Sequence, residues 1–346
     1  MKLRNALALL VIAVLALAAG WQFGIRSRPT GLVEVDAGTL VFPGLAPLLQ
    51  QAVRIEILHQ GKTLTIAQGN GKWGLADRGG FPVQQDKLRE LLTGLTELRI
   101  AEARTADPAQ YARLGVEDAQ PPTSNSNLLR VLDKDGKPLA ALIVGHRRVR
   151  TQGNVPETIY IRRPDEAQAW LAEGRLPVDA DAALWFERDI ANIDHAKIAG
   201  AVITRGPDTL TFAREAEKFA LKTPAEHPPL DDYRVEDVAR GLEMLTLTDV
   251  KPIAETPGEK LATAVLTTTE GMTITVAVFK AGSDIWLQIA ADGTGSETLK
   301  AKTAGWAYQV GAWKEKAFAP VLEDLKAAEP APPPTQPSAP TQPPAP

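Results

Sequence analysis

The first 25 residues constrain this chain more than any other part of it. Met1-Lys2-Leu3-Arg4-Asn5 carries two basic side chains and the terminal amine, and from Ala6 to Ile25 there is no charge at all. At 1.5 Å rise per residue, about 20 apolar residues cross a hydrocarbon layer of about 30 Å. Trp21 and Phe23 stand at the far end of the run, where aromatic side chains favour the membrane interface. Lys2 and Arg4 place the N-terminus in the cytoplasm, although Arg26 and Arg28 weaken the asymmetry. A second reading is a signal peptide: Leu7 to Ala19 fits an h-region and Ala16-Leu17-Ala18 resembles a cleavage site. The apolar run continues past that site, which favours an uncleaved transmembrane anchor. Either reading sends the remaining chain out of the cytoplasm.

That remainder has the makings of a core: the sequence is 44% hydrophobic and 23% charged. The net charge is -4, with no concentrated basic face of the kind phosphate binding needs, so no nucleic-acid partner is expected. There is no cysteine, which removes disulfides, thiolate metal sites and a cysteine nucleophile together.

Residues 1–5 read as a cytoplasmic N-terminus, 6–25 as the anchor and 26–50 as a linker. Residues 51–190 read as a first folded unit, 191–326 as a second, and 327–346 as a disordered Pro-rich tail. In the first unit Val53–Ile57 and Thr63–Ala67 alternate, Trp73–Leu75 starts a third strand, and Gln60-Gly61-Lys62 and Gly69-Asn70-Gly71 turn the chain between them, an antiparallel meander. Leu88, Leu91, Leu92, Leu95 and Leu98 form one helical stripe, introduced by Pro82 and Asp86. Ile100–Ala103 returns to the sheet, Leu128–Leu132 and Leu139–Val144 flank a hairpin turn, and Thr158–Ile161 is a further strand. A short helix is predicted around Glu166–Leu171.

The chain then repeats. Ala199–Ala213 aligns without gaps on Val53–Ala67, Phe219 falls on Trp73, and Pro228 falls on Pro82. One residue later in register, Val238, Leu242 and Leu245 fall on Leu91, Leu95 and Leu98. Agreement of turns, alternation, an aromatic, a proline and a leucine stripe makes this two copies of one supersecondary unit. The expected fold class is α+β: two related units of antiparallel sheet with helices packed on one face, preceded by one transmembrane helix.

An ordered set of short motifs resembles the bacterial family known as domain of unknown function 4340. They are Gly71-Lys72-Trp73, Pro82, the helix with Leu88, Leu92 and Leu95, then Tyr111-Ala112-Arg113-Leu114-Gly115-Val116, Ile143-Val144-Gly145 and the strand with Tyr160. Phe219 marks the second copy, which lacks the tyrosine-leucine-glycine step. The resemblance implies an anchored, extracytoplasmic auxiliary of gliding-motility-type ABC transport systems, and it carries no catalytic residues to transfer.

Motifs for chemistry are sparse. There is no nucleotide-binding glycine loop, so the chain is not itself a transport ATPase, and there is no serine-hydrolase elbow. His59, His146, His195 and His227 lack metal-ligand spacing. Asp133-Lys134-Asp135-Gly136 begins like a calcium loop but lacks its later ligands, and reads as a hairpin turn. Asp231-Asp232 reads as support for a helix N-terminus rather than an acid–base pair. Two surfaces stand out as candidates for binding. One is the basic cluster of Arg147, Arg148 and Arg150, read as a solvated loop able to meet lipid headgroups or an anionic polymer. The other is Trp306, Tyr308 and Trp313, read as packing under the last helix, with sugar stacking as the alternative. Trp73, Phe219 and Trp286 read as core.

The expectation is therefore a non-enzymatic scaffold subunit, with a membrane and an ABC transporter permease or related subunits as partners, no cofactor, and no small-molecule substrate identified. The alternative is a module binding a cell-envelope polymer.

Overall fold

The computed structural model describes residues 36–148 and 156–327. The predicted anchor at 6–25, Arg150, and the tail beyond Ala327 lie outside the described residues. Among the described residues no helix is long and apolar enough to cross a membrane. The chain divides into two compact units, one ending at Glu187 and one beginning at Arg188.

In the first unit a turn at Asp36–Thr39 and a short helix α1 (Leu45–Leu48) precede the sheet. The strands are β1 (Arg54–His59), β2 (Lys62–Gly69), β3 (Lys72–Leu75), β4 (Phe81–Pro82), β5 (Arg99–Thr105), β6 (Asn127–Leu132), β7 (Pro138–Arg148), β8 (Thr158–Arg162) and β9 (Ala169–Glu173). They form one antiparallel sheet in the order β4-β3-β2-β1-β6-β7-β8-β9-β5. Helix α2 (Gln85–Glu97) buries Leu88, Leu91 and Leu95, the predicted stripe, and leaves Leu92 half-buried. A one-turn helix α3 (Tyr111–Leu114) ends at Gly115, whose φ of +68° closes the turn.

The second unit contains β10 (Asp189–Ala191), β11 (Ile198–Arg205), β12 (Asp208–Glu215), β13 (Lys218–Thr223), helix α4 (Asp232–Ala239), β14 (Leu245–Thr246), β15 (Asp249–Pro252), β16 (Glu259–Thr268), β17 (Met272–Ala281), β18 (Asp284–Gly293), helix α5 (Glu297–Thr303), β19 (Trp306–Val310) and helix α6 (Glu315–Phe318). Its large sheet runs β13-β12-β11-β16-β17-β18-β19-β15. Strand for strand, this is the order of the first sheet without β4. The correspondence reaches the residue level, since β2 and β12 have the same length and lie 146 positions apart. Two units of antiparallel sheet built on one plan are thus present.

Five expectations are corrected. Residues 166–171 are not a helix: 163–168 form a link and Ala169–Glu173 is β9, paired on both sides with β5 and β8. A short apolar run buried on both faces has no period to separate strand from helix. The stretch read as a linker is partly folded, because Val41 and Leu45 are buried and Leu40 bridges Arg99. In the second unit the helix stops at Ala239, so Leu245 lies on a strand rather than on the stripe. Trp73 is half-buried where Phe219 is buried. Trp306 and Tyr308 lie on the strand β19, and Trp313 is 72% exposed, so the three do not pack together under a helix.

Candidate functional site

Three of the family-like motifs meet in the first unit: the Tyr111–Val116 step, Ile143-Val144-Gly145 and the strand with Tyr160. Gly145 passes so close to the Leu114-Gly115 backbone that a Cβ there would lie 2.3 Å from the Leu114 carbonyl oxygen. This close approach seats α3 on β7. Tyr111, Val116, Ile143 and Ala169 then form a buried cluster, with Leu114, Leu128 and Tyr160 packed against it.

From that cluster two polar arms reach the link between β8 and β9. Tyr111 Oη donates to the Ala167 carbonyl at 2.5 Å. The buried Arg162 guanidinium lies 4.6 Å over the Tyr111 ring. Its Nε donates to the Val116 carbonyl at 2.9 Å and its Nη1 to the Glu166 carbonyl at 3.2 Å. A buried cation is tolerated where carbonyl oxygens and an aromatic face replace water. Arg163 completes the bracing, donating from Nη2 to the Val41 carbonyl at 2.5 Å and pairing with Glu166 at 3.0 Å.

The braced link forms one wall of a cleft of about 540 Å³. Leu40, Pro43, Ile100, Gln168 and Trp170 line the rest. Gln168 is 6% and Trp170 4% exposed. Gln168 ends the link and Trp170 lies on β9. The volume is within the common range for ligand sites. Sequence reasoning found Tyr111 and Gly145 but missed Arg162, Gln168 and Trp170. The misassigned helix hid the place of Trp170 on β9.

The other candidates do not join this site. Arg147 and Arg148 stand on the end of β7 rather than in a loop, and Arg147 Nε lies 2.6 Å from Glu157 Oε1. Trp306 is half-buried on β19. Pro82 is exposed on β4, and Phe219 stacks on Phe212 with ring centroids 5.7 Å apart. Asp133 holds the hairpin turn, accepting from the Asp135 and Lys137 amides at 2.9 Å. Asp231 caps α4 by accepting from the Tyr233 amide at 2.9 Å.

One polar cluster in the second unit had no signal in the spacing. Asp194, His195 and Glu243 bring potential ligand atoms within 4.8 Å of one another, the only such trio among the described residues. His195 Nδ1 lies 2.5 Å from Glu243 Oε1, and the His195 amide donates to the same oxygen at 2.8 Å. Burial pulls the Glu243 carboxyl upward, but the hydrogen bonds from His195 outweigh it and hold the group below its ordinary value. Arg214 ties the cluster to Glu236 at 2.8 Å. This is the geometry of a hydrogen-bonded pair tying Glu243, which follows α4, to the segment that leads into β11.

Comparison with known proteins gives one match of consequence. The model of the family described as Domain of unknown function (DUF4340) matches residues 73–265. A search of the curated proteins finds no match.

Proposed function

The chain belongs to the family described as Domain of unknown function (DUF4340), and from that premise we propose that it is a non-catalytic, extracytoplasmic accessory subunit of an ABC-type transport complex. In this reading residues 6–25 anchor it in the bacterial inner membrane, and the two sheet units stand on the periplasmic side. The observation that carries the proposal is the family match in a chain that opens with an uncharged apolar run bounded by Lys2 and Arg4. The non-catalytic part rests on how the polar candidates are used: Asp133, Asp231 and the His195–Glu243 pair each hold backbone or another element in place. Its partners are then protein surfaces, chiefly permease or related membrane subunits.

Affinity purification from detergent-solubilised membranes tests the reading. Transporter ATPase and permease subunits should co-purify with the tagged chain. Retention on peptidoglycan or polysaccharide without those subunits would overturn it. Alkaline phosphatase fused after Pro346 should be active, and an inactive fusion would reject the periplasmic placement separately.

A further inference from the structure

The two copies of the fold differ on the open face of their large sheets. In the first unit Glu56 stands in the middle of that face, opposite Thr65 on β2 and Arg130 on β6. It pairs with Arg130 at 2.7 Å and with Arg54 at 3.7 Å, a solvated ion cluster. The offset of 146 residues that relates β2 to β12 carries Glu56 to Val202, Arg54 to Gly200 and Thr65 to Thr211. Opposite Val202 on β16, where β6 has Arg130, stands Val265.

Charge is missing from the face as a whole, not from one position. The central row reads Thr211, Val202, Val265, Thr275 and Ala290 across β12, β11, β16, β17 and β18. On β12, β11, β16 and β17 the rows two residues to either side add only Thr, Ala and Gly. None of these residues is buried, and Val202 is 40% exposed. Charges return at the border, where Lys197 pairs with Glu270 at 3.0 Å and Lys300 with Asp292 at 2.7 Å. A charge-free centre inside a rim of charged pairs is the anatomy of a protein–protein interface. A sheet face that meets only water keeps charged side chains outward, as the first unit does.

We propose that a second copy of this chain covers this face, in a symmetric dimer joined sheet to sheet through the second units. With strands about 4.8 Å apart and about 3.4 Å per residue, the face measures roughly 24 Å by 17 Å. That is about 400 Å² of flat area per copy, and the ruffled surfaces of two copies remove about 1,000 Å² from water, the lower limit of specific interfaces. A reversible dimer fits such an area. Charge decides the occupant. A partner surface like the first unit's would press its ions against valine and threonine methyl groups and strip their water without a counter-charge. The face of a second copy brings no ion. About a two-fold axis it meets itself, with β-branched side chains packing from both sides in the aligned manner of stacked sheets. The inference goes beyond the transport reading and does not rest on it or on the membrane placement.

The test uses the full-length protein in detergent. The chain has no cysteine, so Val265→Cys supplies a single thiol in the middle of the face. A short bismaleimide should link it to a second copy, while Thr65→Cys on the corresponding face of the first unit stays unlinked. Sedimentation equilibrium of the wild type should show a dimer that dissociates in the micromolar range. Val202→Glu combined with Val265→Arg places in the second unit the ion pair that the first unit's sheet already accommodates. This double variant should dimerise at least about tenfold more weakly, since each copy then brings ions to the contact. The proposal is overturned if the wild type stays monomeric up to about 1 mM, a concentration at which even a weak specific pair associates. It is overturned too if the double variant dimerises as tightly as wild type, the contact then lying elsewhere on the chain. Cross-linking of Val265→Cys in membranes to a different polypeptide, and never to a second copy, would also overturn it. The comparison of the two single-cysteine chains stands even if the double variant fails to fold.

Discussion

Gly145 has no side chain because the Leu114 carbonyl occupies the space a Cβ would need. A Gly145→Ala chain must push α3 off β7 or strain the strand, at a cost of about 2–3 kcal/mol, the upper part of the overpacking range. Urea denaturation should show the midpoint falling, and a variant as stable as wild type would mean that the backbones part freely. Glu243 makes a pH prediction. Its carboxyl is held below its ordinary value in the folded protein, so the stability it contributes is present above the unfolded-state value near 4.5 and is lost as pH falls through the lower folded value. In Glu243→Gln that acid-side component should be absent. Thermal unfolding from pH 7 down to pH 3 should therefore fall less steeply in the variant, and parallel curves would reject the His195–Glu243 assignment. The sequence shows Tyr111, Leu114, Gly115 and Gly145 as a motif, because short spacings are visible along a chain. It does not show that Tyr111 reaches Ala167, 56 positions away, or that Glu243 meets His195, 48 positions away. Such pairings are created by the sheet order, and no local pattern encodes them.

Among the elements, those with a solvent face were the legible ones. β2 and the first four residues of β1 alternate because one face is buried and the other is wet, and α2 shows its stripe for the same reason. β9 is buried on both faces at four of its five positions, so its apolar run carries no period that separates a strand from a helix. The segment at 36–50 joins the fold through the Leu40 bridge and two buried side chains, too few to mark a pattern. The copies also differ where their registers agree. Phe219 is buried and stacked on Phe212, whereas Trp73 is half-buried and pairs with Gln68 across the β2–β3 ladder. Phe219→Ala should therefore cost about 3–5 kcal/mol, and Trp73→Ala roughly half as much, since less of its ring leaves water on folding. Equal losses in chemical denaturation would show that the two positions carry equivalent cores after all.

At the scale of the molecule, one plan is used twice and completed differently. Every strand of the first large sheet comes from residues before Glu187, and every strand of the second from residues after Arg188. Among the described residues each large sheet is built within one unit, and each unit is within the size range of independent domains. Residues 36–187 and 188–327, expressed separately, should each unfold cooperatively in urea with dispersed amide resonances beforehand. The boundaries matter for physical reasons. Starting the first unit at residue 51 removes the buried Val41 and Leu45 and the Leu40–Arg99 bridge, and loss of two buried aliphatic side chains costs several kcal/mol. That shorter piece should be markedly less stable than 36–187. Ending the second unit before Lys326 breaks its bridge to Leu230 and the bond from the Ala327 amide to the Pro229 carbonyl, a smaller loss of about 1–3 kcal/mol. If neither unit unfolds cooperatively by itself, the duplication supplies two halves of one cooperative core. If 51–187 matches 36–187 in stability, the segment around Leu40 is an appendage and not part of the first unit's core.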